Sequence, residues 1–149
     1  MSTKRQWIPL AGLAGTIAIA IYAVVQLTAQ AQAPIADFTS ATMAQVRDAQ
    51  GQTVLDGQFE DPVAEDDGLE RRAMLSPAGS DTDAAGEAEV EYKKSGARIQ
   101  EVEFTVHNLQ PDSGFVFVID GTAVANAKTD RRGRAKVEID VRIPATAAR

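Results

Sequence analysis

The sequence predicts an all-β fold, an antiparallel β-sandwich or a small barrel of about seven or eight strands, preceded by one N-terminal hydrophobic helix. Three observations predict this class. Apolar and polar residues alternate with period two from Met43 onward, which is typical of half-buried strands. Turn residues recur roughly every 8–15 residues, and no amphipathic helical pattern follows the N-terminal segment. A chain of 149 residues suggests one domain.

The first 31 residues are predicted to form a hydrophobic export segment. Two cations precede the apolar run 7–25, which is 19 residues long, and the next charged residue is Asp37. That length is near the roughly 20 residues needed to cross a bilayer, but Ala29 and Ala31 fit a small-x-small cleavage pattern. We therefore expect either a signal anchor with its N-terminus in the cytoplasm or a cleaved signal peptide. Both place the domain outside the cytoplasm, as a single-pass membrane protein or as a periplasmic or secreted one.

The composition restricts the partners and the means of stabilisation. There are no cysteines, so the exported domain must be stabilised by its core and not by disulfides. Removing Lys4 and Arg5 from the 15 cationic residues leaves 13 against 21 acidic ones, a net charge of −8. Such a charge argues against nucleic acid and anionic lipid as partners of the domain. In the anchor interpretation, the membrane is a partner of the N-terminal segment alone.

The remaining chain divides into a linker at 32–42, a β-domain at 43–143 and a tail at 144–149. The linker is small and polar with one proline. The alternation predicts these strands: 43–48, 52–59, 71–75, 87–92, 97–107, 115–120, 122–128 and 134–142.

Two strands have distinctive patterns. The segment 115–119, FVFVI, is apolar on both faces and is therefore predicted to be a central strand covered on each side. In the strand 97–107, Ile99 falls out of phase with Val102 and Phe104, which predicts a bulge near Gln100.

The turns follow a repeated device. The segments 48–51, 83–86 and 130–133 each read Asp, two residues, then Gly, which suits a type I turn followed by a left-handed glycine. Each should close a hairpin or lead into a strand. Asp120 and Gly121 fit a two-residue hairpin loop, and 93–96, KKSG, is predicted to be another turn.

The segment after the fifth predicted strand resembles the corner of fibronectin type III and related immunoglobulin-like sandwiches, which reads Leu-x-Pro-x-Thr-x-Tyr-x-Val. The matching residues are Leu109, Pro111, Ser113, Phe115 and Phe117. Phe115 stands at the tyrosine position and lacks the hydroxyl of that corner. Residues 86–140 as a whole resemble a recurrent, largely uncharacterised bacterial exported β-domain. This resemblance implies a fold and an exported bacterial context, and it implies no activity.

Two acidic loops are candidates for a cation. The loop 60–70 carries six carboxylates, and Asp81 and Asp83 follow in the loop 76–83. Read as an EF-hand, the second loop fails, because Ala85 and Tyr92 stand where oxygen ligands are needed. A looser calcium site from both loops remains an alternative, with Asp66, Asp67, Asp81 and Asp83 as ligands; the other interpretation is a solvated acidic surface without any cofactor.

Catalytic signals are sparse. His107 is the only histidine, and neither a second imidazole nor a cysteine accompanies it. The sequence contains no Gly-x-Ser-x-Gly elbow with which it could pair. We therefore expect a solvated residue at a strand end and no enzyme, with a hydrolase centred on His107 as the least favoured alternative.

A basic cluster is the best candidate for a binding site. Five cations lie within nine residues around a predicted hairpin tip: Lys128, Arg131, Arg132, Arg134 and Lys136. Such a tip could contact an acidic protein, an anionic polysaccharide or the acidic loop of the same chain, or it could simply be a soluble hairpin. The sequence thus predicts a non-enzymatic interaction or structural module, with a calcium-responsive binding domain as the alternative.

Overall fold

The computed structural model describes residues 36–65, 68–93 and 99–143. The predicted export segment, most of the predicted turn at 93–96 and the tail lie outside these residues. Among the described residues, no helix is both long enough and apolar enough to cross a membrane.

Nine strands account for nearly all regular structure in the described ranges. They are β1 Met43–Arg47, β2 Thr53–Gln58, β3 Val63–Ala64, β4 Gly68–Pro77, β5 Ala85–Lys93, β6 Ile99–His107, β7 Gly114–Ile119, β8 Thr122–Lys128 and β9 Ala135–Arg142. Eight correspond to predicted strands. The two-residue β3 was missed, and β4 extends beyond the predicted 71–75 at both ends.

The strands form one antiparallel sheet in the order β8-β7-β1-β2-β4-β5-β6-β9, with β3 on the free side of β4. A short ladder between β2 and β4, at Leu55–Pro77 and Asp56–Ser76, joins the two halves of the sheet. The sheet curls until β8 and β9 approach each other, giving a nearly closed barrel. The predicted all-β antiparallel class is confirmed, and the immunoglobulin-like resemblance stays a prediction.

The core fills the inside of this curled sheet. Inward residues of β6 and β7 meet there, and the rings of Phe104 and Phe117 lie 5.1 Å apart at 59°. Both side chains are fully buried, and each contributes roughly 1.5–3 kcal/mol by leaving water. On β7, Val118 points away from this core yet is only 2% exposed. The prediction that both faces of 115–119 are covered is confirmed, since Phe117 and Val118 are both buried, but the strand is not central, because β7 lies next to the edge strand β8.

The predicted bulge near Gln100 is wrong. The ladders from β6 to β5 and to β9 run without a register shift from Ile99 or Gln100 onward. Gln100 takes the core-facing phase together with Val102 and Phe104 and is completely buried, while Ile99 takes the other face. A polar residue thus occupies a core position, which requires partners for its amide.

The buried Gln100 amide holds a segment that we call the N-terminal strap, residues 37–42. Its Oε1 accepts a hydrogen bond from the Phe38 N–H at 2.8 Å, and its Nε2 donates to the Asp37 carboxylate at 3.1 Å. Phe38 itself is 4% exposed and belongs to the core. The strap is therefore part of the domain, and the predicted linker at 32–42 does not extend past residue 36.

Arg71 of β4 and Asp120 of the turn between β7 and β8 hold the other end of the strap. The Arg71 guanidinium donates to the carbonyl oxygens of Thr39 and Ala41, at 3.3 and 2.6 Å. The Asp120 carboxylate accepts from the Thr42 hydroxyl at 2.8 Å and from the Met43 N–H at 2.9 Å. Burial alone raises the pKa of Asp120, but these hydrogen bonds lower it by a larger amount, so its pKa lies below the usual value. The strap thereby crosses one end of the barrel.

The barrel consequently has two different ends. At the proximal end the chain leaves the strap into β1, and the same end holds the start of β6 and the finish of β9. The opposite, distal end holds the turn 48–51, the loop 78–84 and the connections 108–113 and 129–134. Anything attached before residue 36 therefore joins the domain at the end away from 129–134.

The predicted turns are mostly confirmed. Gly51 and Gly133 are left-handed, at φ 79° and 71°, and each N–H donates to the carbonyl of the Asp three residues earlier at 3.0 Å. Asp120 and Gly121 both have positive φ, as a two-residue hairpin loop requires. The segment 83–86 leads into a strand as predicted, but the left-handed conformation predicted for Gly86 is wrong, since it lies within β5 without a positive φ. A Cβ there would come 2.7 Å from the Thr105 oxygen, so close strand packing is what demands glycine.

Two connections at the distal end cross the gap between the two sides of the sheet. The segment 108–113 leads from β6 to β7, and 129–134 leads from β8 to β9. The buried Thr129 hydroxyl donates to the Gln110 carbonyl at 2.6 Å and accepts from the Ser113 N–H at 3.1 Å. The Leu109 N–H donates to the Gly133 carbonyl at 3.0 Å. These bonds lock the two connections side by side across the gap between β8 and β9.

Gly133→Ala should be strongly destabilising. Its Cβ would lie 2.0 Å from the Leu109 carbonyl oxygen, in addition to the strain of a left-handed backbone. We expect a loss of at least ~2 kcal/mol in the free energy of unfolding, measured in urea. Gly51→Ala is the matched control, since the same turn there has open space around Cβ and should lose only about 1 kcal/mol. Equal losses would contradict the proposed contact.

Gln100→Leu should loosen the N-terminal strap. The apolar side chain leaves the buried Phe38 N–H without an acceptor, which costs about 1–3 kcal/mol of unfolding free energy. Limited proteolysis of the full chain should then cut between the export segment and β1 sooner than in the wild type. The control is Gln58→Leu at an exposed strand position, expected within about 0.5 kcal/mol of wild type. Identical behaviour of the two variants would rule out a holding role for Gln100.

Candidate functional site

The predicted basic cluster lies at the distal end, but its setting differs from the prediction. We call its five residues the basic corner: Lys128, Arg131, Arg132, Arg134 and Lys136. It was predicted to surround a hairpin tip. In the structure β8 pairs with β7 and β9 pairs with β6, so 129–134 is a crossing between opposite edges of the sheet. The turn itself is tight, since the Asp130 N–H donates to the Arg134 carbonyl at 2.8 Å.

Asp130 fixes the backbone of the basic corner. Its Oδ1 accepts hydrogen bonds from the N–H groups of Arg132 at 2.7 Å and Arg134 at 2.9 Å. These two bonds, with the nearby guanidinium charges, hold the pKa of the Asp130 carboxyl below its usual value. Because the Asp130 carboxylate bonds to backbone N–H groups, it holds the turn in one conformation. The exposed arginine side chains therefore project from a rigid turn.

The cations of the corner differ in how far they are neutralised. Lys136 pairs with Glu103 at 2.9 Å and Glu138 at 3.6 Å, and these partners raise its pKa. Lys128 lies 4.0 Å from Asp112. Arg131, Arg132 and Arg134 are exposed and form no ion pair within the described part of the chain. Three guanidinium groups at the distal end are therefore open to an external anion.

A groove runs beside the corner on the outer face of β6 and β9. Its volume is about 520 Å³, and it is lined by Thr105, Val106, His107, Asn108, Asp130, Arg134, Ala135 and Lys136. His107 is exposed at the end of β6, as predicted. What the sequence did not show is that the sheet register brings His107 to the same groove as Arg134 and Lys136, because these residues are far apart along the chain.

An acidic face lies on the outside of β4, β5, β6 and β9. One row across the four strands pairs Arg72 with Glu89, Glu89 with Glu103, and Glu103 with Glu138. Like charges directly opposite on neighbouring strands are destabilising. Burial and the neighbouring Glu70 raise the pKa of Glu89, although Arg72 at 3.3 Å opposes this.

Three carboxylates of the acidic face approach one another closely. One oxygen from each of Glu101, Glu103 and Glu138 lies within 4.8 Å of the others. The alternation of each strand was visible in the sequence, but this convergence depends on the register between strands. Exposed acidic groups cluster in this way without any ion, and Lys136 already pairs with two of the three.

The described residues do not test the calcium site predicted from Asp66, Asp67, Asp81 and Asp83, which stays a prediction. Asp66 and Asp67 lie outside the described residues, and their neighbours Glu65 and Gly68 are hydrogen-bonded to each other at the proximal end. Asp81 and Asp83 are exposed in the distal loop between β4 and β5. A hydrogen bond with the Asp83 carboxyl raises the pKa of Asp81. The described parts of the two loops therefore belong to opposite ends of the barrel.

Comparison with known proteins adds no identification. No protein-family model, curated protein or solved structure shows a significant match to this chain. The resemblance of residues 86–140 to an exported bacterial β-domain therefore stays a prediction. The function must be argued from the chemistry of the distal end.

Asp130→Ala should destabilise the basic corner in a pH-dependent manner. A carboxyl whose pKa is lowered in the folded state adds stability above its ordinary value of 3.8 and loses it as the pH falls through the folded-state value. We expect a lower melting temperature than wild type at pH 7 and a shrinking difference below about pH 4. Asp140→Ala, with the same charge change on the exposed face of β9, should show little difference. Indistinguishable variants would contradict a structural role for the Asp130 carboxylate.

Proposed function

We propose that the protein is a non-enzymatic interaction module of an extracytoplasmic compartment, which contacts an acidic partner through the basic corner. One observation carries this proposal. Arg131, Arg132 and Arg134 are exposed and free of ion pairs among the described residues, on a turn that the fold holds rigid. Arginine side chains on a fixed loop are suited to carboxylate, sulfate and phosphate groups.

The direction of the chain supports the same role. The predicted export segment precedes the N-terminal strap, and the strap fastens to the proximal end through Gln100 and Asp120. If the export segment is retained as an anchor, the proximal end is held toward the membrane and the basic corner points away from it. If the segment is cleaved, the same surface is presented by a freely diffusing domain.

The charge distribution supports a localised contact. The domain is acidic overall, whereas the basic corner gathers five cations within nine residues at the distal end, so a polyanion is attracted there against a generally repulsive net charge. Such asymmetry orients an approaching partner and favours one geometry of docking. An acidic protein and an anionic polysaccharide both meet this requirement.

The test measures binding of the purified full chain to two defined probes, polyglutamate and polygalacturonate. Arg131→Glu and Arg132→Glu should each weaken binding, and together by roughly tenfold or more at low salt. Arg142→Glu is the matched control, because it makes the same charge change at the exposed proximal end of β9 and should stay within about twofold of wild type.

A difference between the probes would separate the two kinds of partner. Cross-linking of the same variants in the native cell envelope then tests the contact in place. If all three reversals weaken binding equally, the effect is one of net charge and the basic corner is not the contact surface.

A further inference from the structure

We propose that the groove beside the basic corner is an oxyanion-binding subsite in which His107 supplies a proton-dependent cation, so that binding tightens as the pH falls. The subsite deepens the proposed function, because the oxyanion would be a carboxylate, sulfate or phosphate group of the acidic partner. Its residues come from two neighbouring strands and the connections that follow them.

The register of β6 and β9 builds the subsite. Thr105 lies opposite Lys136, and Val106 lies opposite Ala135. The next residues along the two strands are His107 and Arg134. Because side chains two residues apart share a face, these pairs form two adjacent rows on the outside of the sheet. The Thr105 hydroxyl donates to the Glu103 carboxylate at 3.3 Å, so an oxyanion above these rows meets three side chains that can carry a positive charge.

The donors match the ligand chemistry. A guanidinium offers a planar pair of N–H groups, and a protonated imidazole offers two N–H donors. Hydrogen bonds from charged donors to an oxyanion are roughly twice as strong as neutral ones. Arg134 is free of ion pairs among the described residues, whereas Lys136 shares its charge with Glu103 and Glu138. Arg134 is therefore the principal permanent cation of the groove.

The charged groups around His107 determine how strongly the groove attracts an anion. On β9 and its preceding turn they are Lys136, Arg134 and Asp130. Acidic residues nearby are Glu103 on β6 itself, Glu87 opposite Thr105 on β5, and Asp83, whose carbonyl accepts from the Asn108 amide at 2.9 Å.

The Asp130 carboxylate faces backbone N–H groups, so it competes little for a ligand. Glu103 is engaged by Lys136 at 2.9 Å. Protonation of His107 therefore adds a positive charge beside Arg134, where the oxyanion binds.

His107 provides its own probe, since it is the only histidine in the chain. The imidazole proton resonance of the untagged full chain, in a nonionic detergent, is followed between pH 5 and 8.5 by NMR. One series contains sodium sulfate and a second contains sodium chloride at the same ionic strength. Because binding and protonation are linked, sulfate should move the titration midpoint up by about 0.5–1 pH unit, which corresponds to roughly three- to tenfold tighter binding to the imidazolium form.

Two variants make the test specific. Arg134→Gln should abolish the difference between sulfate and chloride, because it removes the principal cation. Lys128→Gln removes one positive charge from the corner but does not line the groove, so it should keep the difference. A third series in sodium acetate tells whether a carboxylate is accepted or a tetrahedral anion is required.

Coincident curves in sulfate, acetate and chloride would overturn the subsite, and so would a sulfate effect that survives in Arg134→Gln. Neither result depends on Arg131 or Arg132, which lie outside the groove lining. If sulfate has no effect but probe binding still depends on Arg131 and Arg132, the subsite alone is wrong. If sulfate has the expected effect but probe binding does not depend on Arg131 and Arg132, the oxyanion site stands and the proposed role of the basic corner is wrong.

Discussion

The fold depends on closing a sheet whose two edge strands are not joined to each other. Within the described strands, β8 and β9 share no hydrogen-bonded ladder, yet they approach across the end of the sheet. An open edge of this kind exposes unpaired backbone groups and leaves the core unsealed. The distal connections and the N-terminal strap meet this constraint at opposite ends of the barrel.

The same constraint positions the candidate site. The crossing 129–134 must turn sharply to reach β9, and Gly133 and Asp130 make this turn possible. This turn has little conformational freedom, because its Gly133 carbonyl accepts from the Leu109 N–H and the buried Thr129 hydroxyl donates to the Gln110 carbonyl. The arginines that it carries are therefore presented by the element that closes the barrel. Structure and binding are coupled here, since a change that loosens the closure also displaces the basic corner.

The sequence predicted local features well and relations between strands poorly. Alternation and turn residues located eight strands, because each depends only on neighbours along the chain. Gly86 was misread, because the Asp-x-x-Gly device looks the same whether a glycine serves a turn or a close approach to Thr105. Gln100 was misread as a bulge, because its partners Asp37 and Phe38 lie more than 60 residues earlier. The groove and the acidic face were missed for the same reason, since both depend on sheet register.

Native-state hydrogen exchange of individual amides tests the closure most directly. The Phe38 N–H bonds to Gln100, and the Leu109 N–H bonds to Gly133, while the Phe104 amide in the middle of β6 reports global unfolding. If the strap and the distal crossing close the barrel, Phe38 and Leu109 should exchange with opening free energies close to that of Phe104. Exchange of either amide at the rate of a free loop would show that the barrel opens at that end without unfolding, and would contradict the account.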